Sequence, residues 1–221
     1  MSDRLAVLIV EDDPFTRSTL ATTLDSLGFD VVAAEALAAR GLAVAKTASP
    51  DVAVLDLDLG EGPTGIDLAH RLRELLPSIG IVVLSTYAEP RLMGQNQAPL
   101  PVDAIYVVKR TVTDPQVLAR AVRMSVDPDS RPISTTASAA EGTDVVDRLT
   151  DQQIDLMRLV AAGYSNAEIA RRRSVEVPSV EKAMARLIRQ LNLKGHADIN
   201  QRVLIAQKYY ELTGAVSARR D

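Results

Sequence analysis

A chain of 221 residues that is 47% apolar is long enough to bury a real core, as one large domain or two small ones. It has no cysteine, which excludes disulfides, thiolate metal sites and a cysteine nucleophile, and no apolar run near the roughly 20 residues of a membrane span. Charge divides it: residues 1–148 carry 13 basic and 21 acidic side chains (net −8) and residues 149–221 carry 12 and 8 (net +4), so an acidic part precedes a basic one suited to anions.

Taken in order, Leu5–Val10 reads as a buried strand, and Met1–Arg4 leads into it without a signal peptide, so a cytoplasmic protein is expected. Glu11, Asp12 and Asp13 follow, then Pro14 at a first helical position. Three adjacent acids repel one another unless a cation is present. They suit magnesium, which prefers carboxylate and phosphate oxygen, and they equally suit the amino terminus of a helix. Phe15–Leu27 has a helical pattern stopped by Gly28, Asp30–Ala34 is a second strand, and Glu35–Thr47 an alanine-rich helix ending before Pro50.

The third strand, within Asp51–Gly60, has the branched apolar run of a segment buried on both faces and stops at Asp56. A glycine-rich loop leads to a helix over Ile66–Leu76. Ile81–Leu84 is the fourth strand, ending in Ser85 and Thr86, and Ile105–Val108 the fifth, ending in Lys109. Between them Pro90, Gly94, Pro99 and Pro101 leave room for one or two helical turns near Arg91–Gln95. Asp114 and Pro115 open a helix running to about Val126. This β-α alternation predicts a parallel sheet with helices on both faces. Ligands to such sheets bind at the carboxyl edge, where Glu11, Asp12, Asp56, Ser85 and Lys109 all fall. Two carboxylates can hold magnesium while a third attacks phosphorus, a lysine offers its charge to the transferred oxygens and a hydroxyl donates to them. The product would be an aspartyl phosphate.

Residues 127–147 are a Ser, Thr, Pro and Asp-rich linker. Thr150 caps a helix over Asp151–Ala162, and Ser165 or Asn166 caps a short one through Arg173. Pro178 or Ser179 starts another through Leu191, and the last spans about Asp198–Thr213 before Gly214. Val160, Ile169, Ala170, Val175, Val180, Leu187 and Leu191 would make a small core. Ser179, Lys182, Arg186 and Arg189 would face phosphates or base edges.

Residues 5–126 resemble the receiver domain of two-component response regulators through LIVEDDP, VLDLDL, VVLST and YVVK. The resemblance implies a flavodoxin-like (βα)5 fold with strand order 2-1-3-4-5 and magnesium held by Glu11, Asp12 and Asp56. It also makes Asp56 the phospho-acceptor, Ser85 and Tyr106 the switch hydroxyl and aromatic, and Lys109 the invariant lysine. Thr86 replaces a usual alanine, Gly60 stands where proline is usual, and Asp103-Ala104-Ile105 stands where a glycine-containing segment is common. Residues 149–213 resemble the LuxR-type four-helix helix-turn-helix domain through LTDQQIDLMRLVAAGYSNAEIARR and SVEKAMARLIRQLNL, with Glu181 where a basic residue and Gln153 where a glutamate are usual.

The expected division is a receiver over 1–126, a linker over 127–147, a DNA-binding domain over 148–214 and a tail over 215–221. The implied protein is a non-enzymatic transcription regulator that is phosphorylated by a sensor histidine kinase, binds double-stranded DNA and forms a homodimer when active. Its dimers would use a stripe of Ile199, Val203, Ala206, Tyr210 and Thr213 on the last helix. Two rival readings stand beside it: a phosphatase of haloacid-dehalogenase type using Asp56 and Asp58, and a receiver whose helical tail binds protein.

Overall fold

The computed structural model describes residues 4–94, 98–127, 148–193 and 200–214. The expected linker beyond Asp127, the tail and Ile199 lie outside them. The chain forms two compact units: one comprises Met1–Ser85 with Ala98–Ala139, the other Thr86–Gln97 with Ala140–Asp221. The second unit therefore takes in a stretch that the sequential reading assigned to the receiver.

The first unit is a five-stranded parallel sheet in the order β2-β1-β3-β4-β5. Its strands are β1 (Ala6–Val10), β2 (Asp30–Glu35), β3 (Val52–Asp56), β4 (Gly80–Ser85) and β5 (Ile105–Val108). Every residue of β3, β4 and β5 is buried, which is why these strands read as continuous apolar runs. Helices α1 (Pro14–Ser26), α2 (Ala38–Ala48), α3 (Gly65–Leu75) and α4 (Pro115–Val126) cover the sheet. One face packs Val7, Ile9, Val52, Val54, Val82, Leu84 and Val107 against Leu24, Phe29, Leu118 and Val122.

The helix starts follow capping chemistry. Asp13 accepts from Thr16 N, Asp114 accepts from Gln116 N, each followed by proline, and Thr64 with Asp67 forms a reciprocal capping box. The second helix starts at Ala38, later than the expected Glu35. Glu11 N donates to Glu35 O at 3.0 Å, and that bond keeps Glu35 in β2. Between β4 and β5 the described residues contain only a 3-10 turn, Pro90–Leu92, in place of a fourth long helix.

The second unit contains α5 (Asp151–Ala161), α6 (Asn166–Arg172), α7 (Val177–Gln190) and α8 (Gln201–Thr213). Leu149, Ile154, Met157, Val160, Ile169, Ala170, Val180, Leu187, Leu191 and Leu212 form its core. Val175 departs from the expected core: its amide closes the end of α6 on Ala170 O at 3.0 Å, and its side chain, after Ser174 at φ 54, is 44% exposed. Gln153 carries out the capping role of the usual glutamate by accepting from Thr150 N at 2.9 Å. It does something a carboxylate cannot: its Nε2 donates to Gln190 Oε1 at 2.6 Å, and Gln190 Nε2 donates to Arg148 O at 2.7 Å.

Candidate functional site

Sheet register builds the site in the first unit. Val10 lies opposite Leu55, Asp56 opposite Leu84 and Ser85 opposite Val108. Glu11, Asp56, Ser85 and Lys109 consequently emerge within about one residue of the same carboxyl edge. Carboxylate oxygens of Glu11, Asp12 and Asp56 lie within 4.8 Å of one another. Lys109 Nζ reaches Glu11 Oε2 at 2.8 Å and Asp56 Oδ2 at 3.1 Å.

Electrostatics mark the cluster as short of positive charge. Burial, offset in part by the Lys109 hydrogen bond and reinforced by the Asp56 charge, pushes Glu11 up to about 7. Burial likewise raises Asp56 above the usual carboxylate range, with the charge of Asp12 adding to it and Lys109 opposing it. Burial works to lower Lys109, but the hydrogen bond to Glu11 and the nearby carboxylates raise it on balance, so the lysine stays charged. An all-oxygen donor set of three carboxylates, two of them buried, fits a hard divalent cation.

Two supports escaped the sequence reading. Arg17 Nη1, one turn into α1, donates to Glu11 O at 2.6 Å and Asp12 O at 3.0 Å, tying the acidic loop to the helix. Gly65 lets α3 start directly against β3, since an added Cβ would stand 1.9 Å from Asp56 O. The first is visible only in three dimensions; a glycine at the foot of a helix was the available signal for the second. Asp103, at φ 67, takes the left-handed conformation for which a glycine is common there. Ser85, the last residue of β4, is 1% exposed, and Tyr106, within β5, is 2% exposed. Asp58 is exposed, outside the carboxylate group, and accepts from Gly60 N at 3.3 Å.

In the second unit, α7 buries Val180, Met184 and Leu187 and exposes Ser179, Lys182, Arg186 and Arg189. At about 100° per residue these four fall within roughly 80° of arc. Glu181, also exposed, lies about 120° from the middle of that arc, so its charge flanks the basic face. Arg171 and Arg172 of α6 are both paired with Glu168.

A parallel 2-1-3-4-5 sheet with a carboxylate triad and a lysine on its carboxyl edge defines a receiver. Residues 7–123 match the profile of the response regulator receiver domain and residues 147–203 that of the bacterial regulatory proteins of the luxR family. The chain belongs to the response regulators. Over 200 residues it is 32% identical to the DNA-binding transcriptional activator DevR/DosR of Mycobacterium tuberculosis, covering 85% of this chain and 88% of the relative. It is 27% identical over 214 residues to a nitrate/nitrite response regulator protein homolog of Haemophilus influenzae, covering 94% and 99%. Among solved structures, the two-component response regulator RcsB in complex with DNA matches with a TM-score of 0.59 at 16% identity, over 96% of this chain and all of that one. At that identity the likeness is one of fold.

Proposed function

We propose that this regulator takes a phosphoryl group from a sensor histidine kinase onto Asp56 and answers by changing how its helix-turn-helix unit binds double-stranded DNA. The observation that carries the reading is Lys109 bridging Glu11 and Asp56 beside Asp12. Asp56 Oδ attacks phosphorus, the new P–O bond forms as the bond to the donor imidazole breaks, and the ring nitrogen leaves with the electron pair. Lys109 then exchanges a carboxylate for a phosphoryl oxygen as partner, and Ser85 Oγ–H donates to another. Glu11, Asp12 and Asp56 would hold magnesium, which would supply positive charge to shield the incoming oxygens. Tyr106 follows Ser85 inward, and water later hydrolyses the acyl phosphate, so the protein turns over its own signal without being an enzyme for another substrate.

On α7, Ser179, Lys182, Arg186 and Arg189 contact phosphates and base edges. Activation favours a homodimer through α8, where Val203 and Tyr210 are 47% and 41% exposed; Thr213 of the expected stripe is buried. Among the described residues no helix is long and apolar enough to cross a membrane, and a cytoplasmic site of action follows from the proposed kinase and DNA partners. Intact mass after incubation with acetyl phosphate tests the core of this reading. An adduct is expected with magnesium, and neither with chelator nor in Asp56→Asn; an equal adduct in that variant refutes the acceptor.

A further inference from the structure

One face of α5 carries Asp151, Ile154, Asp155 and Arg158 at spacings of three, one and three. Together with Arg172 and Arg173 at the end of α6, Val175 just beyond it, and Arg91, that face lines a cavity of about 610 Å³ within the second unit. Sites for small organic molecules measure roughly 300–1,000 Å³. Ser179, Lys182, Arg186 and Arg189 are not among its lining residues, so the cavity is separate from the basic face of α7. Charge within it does not balance. Asp155, 7% exposed, accepts from Arg158 Nη2 at 2.7 Å, whereas Arg173 Nε stands 3.9 Å from its other oxygen, too far for a hydrogen bond. Two guanidinium charges thus share one carboxylate, and the buried Nε of Arg158 has no hydrogen-bond partner. Arg172 shares Glu168 with Arg171 in the same manner, its guanidinium lying 4.1 Å from the centre of the Tyr164 ring. Arg91, by contrast, is matched by both Glu89 and Asp151. The surplus of positive charge therefore gathers where α5 meets the end of α6.

We propose that this cavity is a binding site for a small organic anion, with a phosphate or carboxylate head held by Arg158 and Arg173 and an apolar body against Ile154 and Val175. Guanidinium groups present paired N–H donors in a planar fork that matches either head. An anion here would give Arg173 a short, charge-assisted partner in place of the long approach to Asp155. Val175 is 44% exposed beside the buried Ile154, so the cavity also offers apolar surface for a ligand to cover. Arg173 and Val175 flank Ser174, whose φ of 54 sets the turn into α7, and an occupant would brace that turn against α5. The site belongs to the helical unit and does not depend on whether Asp56 accepts a phosphoryl group.

Calorimetric titration of the full chain in chelator tests this, with phenyl phosphate and benzoate as probes and benzyl alcohol as the uncharged control. At least one of the two anions is expected to bind at millimolar concentration or below and benzyl alcohol is not; the tighter of the two anions tells whether phosphate or carboxylate is the preferred head. Arg173→Gln should weaken binding roughly tenfold or more by removing charge-assisted bonds. Val175→Asp should do the same by setting a carboxylate in the cavity, and because that position is exposed and outside the Asp155 network, it keeps the test independent of any loss of folding in Arg173→Gln. A protein carrying both Lys182→Ala and Arg186→Ala should bind the anion as the wild type does. Binding of neither anion overturns the site, as does equal binding of benzyl alcohol or wild-type affinity in both cavity variants. Loss of binding in the Lys182→Ala, Arg186→Ala protein alone also overturns it, by placing the anion on α7.

Discussion

Replacing Asp56 by asparagine should stabilise the protein when no divalent cation is present. At about pH 8 Glu11 is ionised, so Asp56 faces two carboxylates within 4.8 Å and one ammonium at 3.1 Å. With an effective dielectric constant of about 20, the Glu11 repulsion is worth about 3 kcal/mol or more and the Lys109 attraction about 5, while the exposed Asp12 adds a repulsion that solvent screens. Burial of the Asp56 charge tips this near-balance against the ionised form. The sign agrees with the pKa: an acid raised in the fold from 3.8 contributes stability below that value and loses it as pH rises through its folded one. Asp56→Asn should therefore raise the melting midpoint of the receiver unit by roughly 3–10 °C in chelator at about pH 8, with a smaller gain near pH 5. Magnesium should then raise the midpoint of the wild type more than that of the variant. Thermal unfolding by circular dichroism measures all of this. A variant that melts below the wild type in chelator at about pH 8 refutes the charge balance.

Magnesium binding should itself depend on pH. Since Glu11 titrates at about 7, the cation must displace its proton below that pH, and affinity should weaken about tenfold from pH 8 to pH 6. Calorimetry in buffers of different ionisation enthalpy counts the proton, and Glu11→Gln should flatten the profile. Gly65→Ala forces a Cβ to within 1.9 Å of Asp56 O, so a loss of at least about 2 kcal/mol is expected by chemical denaturation, together with slower phosphorylation. Lys182→Ala and Arg186→Ala should weaken duplex DNA binding, and a lost phosphate contact flattens the log–log salt slope by about one unit. Glu181→Lys, off the basic arc, should change affinity little and evenly across sequences.

The strands and the site were legible because both rest on short-range patterns. A run such as Val52–Leu55 has to be buried on both faces, and once five such runs alternate with helices the carboxyl edge collects Glu11, Asp56, Ser85 and Lys109. The basic face of α7 was legible for the same reason, since spacings of three and four define it. What escaped depends on tertiary partners. Nothing in the local pattern separates Val175, facing solvent, from Val180 in the core, because the turn at Ser174 decides it. The stretch between β4 and β5 reads as too rich in proline and glycine for a long helix, and its described part holds only a 3-10 turn, but irregularity does not say which core the segment joins. Nothing in the local pattern of α1 singles out Arg17, and only its bonds to two loop carbonyls reveal a role.

The amide relay from Thr150 through Gln153 and Gln190 to Arg148 O has a consequence for regulation in a changing cell. It holds the carboxy-terminal end of α7 by bonds that carry no formal charge. Mobile ions, which screen exposed ion pairs within about 10 Å, leave such bonds almost untouched, and neither amide titrates. The helix proposed to read DNA is thus anchored at this end by contacts indifferent to osmotic upshift or acid stress, while the basic face it presents responds to ionic strength. On that proposal, salt tunes occupancy of a promoter without disturbing the aim of the helix.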